Sequence, residues 1–328
     1  MISNTLQLHT FGQPEDVCHL EALEVPTLGQ DDILVRMLAT PINPADINFA
    51  QGTYGVKPEL PATPGIEGCA EVLQSNNPKF AEGDKVIFIQ RVGTWRSHLV
   101  CQEAQVLKIP KEIDYRQAAM LKVNPATAWQ VLHQFKQVQP GDWVIQNAAN
   151  SGVGQCLIQI ANELGIHTIN TVRREELIPD LEALGAKHVL LDDTELVSKV
   201  RGICGDAAPV LASNAVGGDS ALRQMDALGE FGGQVTFGAM SMRSLKVPNK
   251  FLIFKGIQLY GLWITKWLGS AKRDEIAAVY QNLATMVLDG KLNQKIEKCY
   301  APQDHFDALK RAQENQRDGK ILIDWTIG

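Results

Sequence analysis

Residues 143–164 have the pattern of a phosphate-binding turn. An apolar, strand-like segment (residues 143–147) is followed by residues that can turn sharply and begin a helix, among them Asn150, Ser151, Gly152, Val153 and Gly154. Free backbone N–H groups at a helix N-terminus, together with the helix dipole, favour the pyrophosphate of a dinucleotide. The three-glycine fingerprint of such sites is only partly present, because Ala149 and Ser151 occupy its first two glycine positions. The strand before the turn and the helix after it favour a dinucleotide site. The alternative is a tight, glycine-containing connection between strand and helix that binds no ligand.

Two arginines follow this turn at the position that usually distinguishes NAD-binding from NADP-binding folds. About twenty residues beyond it, an NAD-binding fold places an acid that holds the ribose hydroxyls, whereas this chain has Arg173 and Arg174. A guanidinium cannot accept a hydrogen bond from a 2′-hydroxyl, but it can bind a 2′-phosphate through charge-assisted hydrogen bonds. We therefore predict NADPH as the cofactor. The alternative is a pair of arginines that ends a strand in solvent.

Tyr54 stands between Gly52 and Gly55 and is a candidate donor to a reacting group. A phenol, whose ordinary pKa is near ~10, is protonated at neutral pH and can donate to an oxygen that becomes negative. The residues alone slightly favour another interpretation, a half-buried aromatic side chain in a glycine-flanked turn.

The elements that must position these residues are of two kinds. Short β-like runs separated by Pro and Gly indicate a β-rich module before about residue 118, at 33–38, 68–73, 85–90, 98–102 and 105–109. From Gly141 onward, helix-like segments alternate with strand-like segments at 143–147, 168–172, 188–191, 209–214, 233–238 and 258–263. This alternation is typical of parallel βαβ units in a doubly wound sheet.

The final part of the chain has helix-like segments at 273–288 and 304–313 and a strand-like segment at 320–325. We expect this part to return to the β-rich module. The predicted fold class is α/β, with a β-rich domain at 1–120, a Rossmann domain at 121–266, and a return to the first domain at 267–328.

Composition narrows the possible partners and compartment. The 328 residues carry 31 Lys and Arg against 37 Asp and Glu, a net charge of −6, so nucleic acid is an improbable ligand. The most apolar stretch, 251–264, is interrupted by Lys255 and Gln258, and we predict no membrane span.

Six scattered cysteines indicate free thiols in a reducing compartment. Residues 1–7 lack a targeting pattern, and we expect a cytoplasmic protein.

Segments along the whole chain resemble one family. They resemble the zinc-free medium-chain dehydrogenase/reductase superfamily and, within it, the mitochondrial-type trans-2-enoyl-thioester reductases, close to the quinone oxidoreductase branch. The segments that carry the resemblance are 43–48, 51–55, 58–61, 93–96, 123–128, 145–154, 169–173, 252–255, 261–263 and 319–322. The resemblance implies a GroES-like catalytic domain beside a Rossmann NADPH domain.

The resemblance also implies roles for individual residues. It makes Tyr54 the catalytic proton donor and enolate stabiliser. It makes Asn124 an amide that helps to place the tyrosine and the ribose, with Thr127 in the same motif. It puts further residues against the cofactor, namely Asn150, Ser151, Gly152, Val153, Phe237, Gly238, Ala239, Met240, Leu262, Trp263, Ile264, Thr265 and Lys320. At Ala239 relatives more often have a second glycine.

The zinc ligands of related alcohol dehydrogenases are missing. Their first catalytic ligand is a Cys in the segment that aligns with residues 43–48, which contain none, and their Gly-His-Glu motif reads Gly65-Ile66-Glu67 here. A Lewis-acid zinc would lack its thiolate and its imidazole. Alcohol–aldehyde chemistry is therefore disfavoured, whereas reduction of a carbon–carbon double bond needs no metal.

Three functions stay open at this point. The first is NADPH-dependent reduction of 2-enoyl thioesters of coenzyme A or acyl carrier protein in fatty acid synthesis, which residues 93–96 and the Trp263/Trp267 region favour. The second is reduction of quinones or alkenals with NADPH. The third is a catalytically silent protein that binds NADPH or nucleic acid. The net charge of −6 and the presence of Tyr54 argue against this function. We expect a homodimer joined through the apolar strand at 258–263.

Overall fold

The computed structural model describes residues 1–327. Within this range the strands are, in chain order, β1 (Ile2–Leu8), β2 (Cys18–Glu24), β3 (Ile33–Pro41), β4 (Cys69–Ser75), β5 (Lys85–Phe88), β6 (His98–Cys101), β7 (Val106–Ile109), β8 (Trp143–Gln146), β9 (His167–Val172), β10 (His188–Leu191), β11 (Leu211–Asn214), β12 (Gly233–Thr236), β13 (Gln258–Gly261), β14 (Ile296–Tyr300) and β15 (Lys320–Asp324). The α-helices are α1 (Pro14–Val17), α2 (Pro44–Ala50), α3 (Tyr115–Ala119), α4 (Asn124–His133), α5 (Gly152–Glu163), α6 (Ile178–Ala183), α7 (Leu196–Cys204), α8 (Gly218–Ala227), α9 (Asn249–Ile253), α10 (Ile264–Ser270), α11 (Arg273–Leu288) and α12 (His305–Gln313).

The chain divides into two compact units. Unit 1 consists of residues 1–123 and 271–328, and unit 2 of residues 124–270. In unit 1, the strand order of the main sheet is β14-β15-β3-β4-β5-β7, with β6 also paired to β3. The core of this sheet includes Val35, Met37, Val72 and Phe88, all without solvent exposure. Strand β15 runs antiparallel to β3, which joins the end of the chain to the first module.

Unit 2 contains a six-stranded parallel sheet. Its strand order is β10-β9-β8-β11-β12-β13, so the order reverses between β8 and β11. Buried apolar residues such as Ile145, Ile169 and Ala212 make the strands compatible with helices on both faces. Ligands of doubly wound sheets bind outside the carboxyl ends of the strands, at the reversal of strand order. The predicted α/β class with a doubly wound sheet is confirmed.

Most predicted elements are confirmed, including β10 and α11 at their predicted bounds. The sequence analysis missed β1 and β2, which pair antiparallel. In β1 the buried side chains include Ser3, Thr5 and Gln7, so no apolar alternation marks the strand. Ser3 Oγ donates to the His98 carbonyl at 2.8 Å, which satisfies this polar group inside the structure.

Two further predictions can be compared with the structure. The prediction of free cysteines is confirmed, since all six are unpaired thiols. Burial raises the pKa of the Cys18, Cys69 and Cys101 thiols to about 12, so these three behave as small apolar side chains. Among residues 1–327 no helix has both the length and the apolar character needed to cross a bilayer.

Candidate cofactor site and catalytic residues

The turn between β8 and α5 is built for close approach of a ligand to backbone. Ser151 caps α5, because its hydroxyl accepts a hydrogen bond from the Gly154 N–H at 3.2 Å. Ala148 has a φ of +48°, a left-handed conformation that reverses the chain. A Cβ on Gly154 would lie 2.5 Å from the Ala149 carbonyl oxygen, so only glycine allows the helix to begin this close to the turn. The first turn of α5 fits a pyrophosphate.

Asn124 adjoins this turn. It is buried at the beginning of α4, and a Cβ on Gly152 would collide with its side-chain Nδ2. Thr127 lies one helical turn further on and is also buried. The structure therefore brings Asn124 together with the glycine turn, while its role in placing the tyrosine and the ribose stays a prediction.

A row of buried amides, which the sequence analysis missed, holds the carboxyl edge of the sheet. Gln146 Nε2 donates to Asn170 Oδ1 at 2.7 Å and to the Gly154 carbonyl at 3.0 Å. Asn147, the residue after β8, donates through its Nδ2 to Asn214 Oδ1 on the neighbouring strand β11, at 2.9 Å. Amides inside otherwise apolar strands are the signal that would have revealed this row. The Gln146 amide thereby links β8 directly to the first turn of α5.

The segments after β12 and β13 lie at the same edge of the sheet. The Phe237 N–H donates to the Asn214 carbonyl at 3.1 Å, and the Met240 N–H donates to the Ala215 carbonyl at 3.0 Å. After β13, the Leu262 N–H donates to the Thr236 carbonyl at 2.9 Å. Thr265 Oγ1 is buried and has no hydrogen-bond partner within the part of the chain that the structure describes. The predicted groups 237–240 and 262–265 thus follow adjacent strands.

Arg173 and Arg174 follow β9, the strand next to β8. Arg173 is exposed, and Arg174 Nε lies 3.3 Å from Glu176 Oε1 in an exposed ion pair. Exposed ion pairs contribute little to stability, so the stability of the fold does not depend on either guanidinium. Their place at the carboxyl end of the second strand fits a 2′-phosphate.

Tyr54 lies in unit 1 after the end of α2. Gly52, with a φ of +70°, ends the helix, and the Tyr54 N–H donates to the Asn48 carbonyl at 3.1 Å. The side chain is half-buried. The Arg91 guanidinium lies over its ring, 5.1 Å from the centroid. The structure therefore fixes the backbone of Tyr54 and leaves part of the side chain accessible to solvent.

Lys320, predicted to contact the cofactor, belongs to a buried polar cluster in unit 1. Its Nζ donates to Asn43 Oδ1. Asn43 Nδ2 donates to Glu67 Oε1 at 2.8 Å, and the Val123 N–H donates to Glu67 Oε2 at 2.9 Å. Burial raises the pKa of Glu67, and the positive charge of Lys320 partly offsets this effect.

Comparison with known proteins decides the family. Residues 29–111 match a family described as the alcohol dehydrogenase GroES-like domain, and residues 152–285 match one described as zinc-binding dehydrogenase. The mitochondrial enoyl-[acyl-carrier-protein] reductase of Homo sapiens is 39% identical over 320 residues, which cover 95% of this chain and 86% of that protein. This chain belongs to the enoyl-[acyl-carrier-protein] reductase family. The resemblance in the sequence motifs and the GroES-like and Rossmann fold classes are thereby confirmed.

Two solved structures related to this reductase family match 99% of the chain. The 2-enoyl thioester reductase Etr1p of Candida tropicalis, in a complex with NADP and crotonyl-CoA, is 27% identical, with a TM-score of 0.90 and 100% of its length covered. A Bacillus thuringiensis protein named for NADPH:quinone reduction is 25% identical, with a TM-score of 0.90 and 99% of its length covered. Enoyl reductases and a quinone-reductase neighbour therefore share this fold.

The zinc that one family description names does not fit this enoyl reductase chain. Ile66 supplies no ligand where the zinc enzymes have His, and residues 43–48, which align with the segment that carries their Cys ligand, contain no Cys. Asn43 and Glu67 are hydrogen-bonded to each other, and the Lys320 ammonium donates to the same amide. Within residues 1–327 no three His, Cys, Asp or Glu side chains are grouped to hold a metal ion. We derive no step through zinc.

Lys122 is a buried cation of this reductase that the sequence analysis missed. Its Nζ donates to the Ile66 carbonyl at 2.7 Å and to the Gln90 carbonyl at 3.1 Å. Burial lowers the pKa of Lys122 to about 7, partly offset by the carboxylate of Glu67. The ammonium ties two loops of unit 1 together, the loop before Glu67 and the loop before Arg91.

The lowered pKa of Lys122 predicts a pH dependence of stability. Between pH 7 and the ordinary lysine value of 10.5, the unfolded chain binds more protons at this residue than the folded chain. The free energy of unfolding should therefore rise with pH, by about 2 kcal/mol between pH 7 and 9. In urea unfolding at both pH values, Lys122→Met should lack this part of the rise.

Lys85→Met is the matched control, because Lys85 Nζ also donates to a backbone carbonyl, that of Ile113 at 2.8 Å. It should keep the pH dependence of the wild type. An equal rise in the Lys122→Met variant would show that Lys122 does not titrate in this range.

Proposed function

We propose that this protein is an NADPH-dependent, zinc-independent reductase of trans-2-enoyl thioesters carried by coenzyme A or acyl carrier protein. The observation that carries the proposal is a half-buried phenol, Tyr54, in a family member that has Ile66 in place of the zinc-binding His and no Cys at residues 43–48. A reductase without a metal must stabilise the charge on its substrate with protein donors. Etr1p, whose fold this chain shares, has a structure with NADP and crotonyl-CoA.

The proposed chemistry consumes one hydride and one proton. NADPH, when bound, supplies the hydride. The β carbon of the thioester accepts this electron pair, the π electrons of the carbon–carbon double bond form a double bond between the α carbon and the carbonyl carbon, and the carbonyl π electrons move to the thioester oxygen. The Tyr54 hydroxyl first donates a hydrogen bond to that oxygen and then transfers its proton to the α carbon, which completes the saturated thioester, and the phenolate takes a proton from water.

The residues that would hold the cofactor belong mainly to unit 2. The N-terminus of α5 suits the pyrophosphate, and Arg173 and Arg174 suit the 2′-phosphate. The other proposed cofactor residues are Asn124, Thr127, Asn150, Ser151, Gly152, Val153, Phe237, Gly238, Ala239, Met240, Leu262, Trp263, Ile264, Thr265 and Lys320.

A substrate panel tests the proposal. Oxidation of NADPH is measured with crotonyl-CoA, with longer 2-enoyl-CoA and 2-enoyl acyl carrier protein substrates, and with a set of quinones and alkenals, before and after exhaustive chelation. We expect turnover of the enoyl thioesters that chelation does not change. Turnover confined to quinones or alkenals would replace the proposal with the second candidate, which the likeness to the Bacillus thuringiensis protein supports. Loss of turnover on chelation would refute zinc independence.

We also propose a homodimer joined through β13. This strand is the edge of the parallel sheet, and Leu259 on it is 37% exposed. Unpaired N–H and C=O groups at an edge pair readily with the same strand of a second copy. Sedimentation at micromolar concentration should give the mass of a dimer, and Leu259→Lys should shift it toward a monomer.

Leu252→Lys is the control for this prediction, because Leu252 is an exposed leucine of α9 in the same unit. It should leave the mass unchanged. A monomeric wild type would contradict the proposed dimer.

The proposed compartment is the cytoplasm. Six free thiols support a reducing environment, whereas the curated relatives are named as mitochondrial proteins. Fractionation of cells that express the full-length protein decides between these compartments.

A further inference from the structure

Arg91 is a cation with buried, unsatisfied donors. Its guanidinium carbon lies 4.6 Å from the ring centroid of Phe49 and 5.1 Å from that of Tyr54. Both Nη1 and Nη2 are buried and have no hydrogen-bond partner among residues 1–327. Aromatic faces attract a cation, but they do not replace the oxygen acceptors that guanidinium N–H groups require. These donors therefore need an acceptor from outside the described chain.

Asp46, a neighbouring carboxylate, does not supply this acceptor. Its Oδ2 accepts a hydrogen bond from the Asn43 N–H at 3.0 Å, while Oδ1 is buried without a partner. Burial raises the pKa of Asp46, and Arg91 is close enough to offset part of this effect. The two side chains thus feel each other's charge without forming a hydrogen bond.

The surroundings hold the guanidinium in place despite this cost. Phe49, at the end of α2, is only 3% exposed and packs in the core. Lys122 Nζ donates to the carbonyl of Gln90, the residue before Arg91, at 3.1 Å. A buried polar group without a partner is expensive, and a preorganised donor of this kind is a common feature of a ligand site.

We propose that Arg91 is a second donor to the thioester oxygen of the substrate, beside Tyr54. This inference rests on the proposed function. The guanidinium carbon of Arg91 lies 5.1 Å from the centroid of the Tyr54 ring, which puts the two side chains on the same side of the proposed site. The hydrogen bonds strengthen as the β carbon accepts a hydride and the enolate's negative charge develops on that oxygen. Arg91 transfers no proton.

Three variants test the role of Arg91 with crotonyl-CoA at saturating NADPH. Arg91→Met should lower kcat by about tenfold or more, and Arg91→Lys should lower it less because the charge remains. The control is Lys57→Met, since Lys57 Nζ also lies over an aromatic ring, that of Phe11 at 4.7 Å. It should keep the wild-type kcat, and melting curves should show that all three variants are folded.

Binding without the cofactor gives a second readout. By calorimetry, Arg91→Met should weaken the binding of butyryl-CoA by about threefold or more and leave the binding of free CoA unchanged. In the double variant Tyr54→Phe/Arg91→Met, the loss of kcat should be smaller than the product of the single losses, because both groups serve one oxygen.

The outcomes separate this inference from the proposed function. A folded Arg91→Met variant with wild-type kcat and thioester affinity would overturn the role of Arg91. Equal losses of butyryl-CoA and CoA affinity would make Arg91 a phosphate contact, and multiplicative losses in the double variant would exclude a shared oxygen. A wild type that does not reduce crotonyl-CoA would instead refute the proposed function.

Discussion

Tyr54→Phe is expected to lower turnover of a 2-enoyl-CoA by about 10² to 10³. The change removes only the phenolic hydroxyl, which we propose as the donor to the oxygen that becomes negative. The Tyr54 N–H still bonds to the Asn48 carbonyl, and the ring still lies beside Arg91, so the fold should be preserved. The measurement is kcat at saturating NADPH, together with the Kd of NADPH, which should change little.

Tyr115→Phe is the matched control for this prediction. Its hydroxyl donates to Asp324 Oδ2 at 3.0 Å inside unit 1, so its loss should affect stability rather than kcat. If folded Tyr54→Phe binds NADPH and keeps full turnover while chemistry limits the rate, Tyr54 is a packing residue and the proposed mechanism fails.

The second large effect concerns the choice of cofactor. Replacing Arg173 and Arg174 together by alanine should reduce the preference for NADPH over NADH roughly a hundredfold, since hydrogen bonds between charged groups contribute about 1.5–3 kcal/mol each. The Kd values for both cofactors, measured by calorimetry, give the ratio.

Arg201→Ala, on α7 of the same unit, controls for the loss of positive charge alone. It should leave the ratio of the two Kd values unchanged. A wild-type ratio in the double alanine variant would show that the arginines end a strand in solvent and contact no 2′-phosphate.

The parts of the fold that periodicity encodes could be predicted from the sequence. The alternation of apolar strand-like and helix-like segments predicted the sheet of unit 2, and Gly154 indicated the turn. The structure gives the reason for this glycine, because a Cβ there would meet the Ala149 carbonyl. The strand β1 was missed because polar residues, Ser3, Thr5 and Gln7, share its buried positions with leucines and interrupt the apolar pattern. Local patterns do not report the contacts that bury such residues.

The same limit applies to the candidate site. Arg173, Arg174 and Tyr54 were found from motif spacing and family resemblance. Lys122 and Arg91 were not, because each is a single basic residue whose importance comes from what surrounds it: two carbonyls for Lys122 and two aromatic rings for Arg91. Neither setting has a sequence signature.

The position of a transferred deuterium tests the central claim most directly. Crotonyl-CoA is reduced with NADPH that carries deuterium in place of both hydrogens at C4 of its nicotinamide ring, and the product is analysed by mass spectrometry and NMR. The account predicts butyryl-CoA with one deuterium on the β carbon and one solvent-derived hydrogen on the α carbon. Absence of butyryl-CoA, or deuterium on the α carbon, would contradict it.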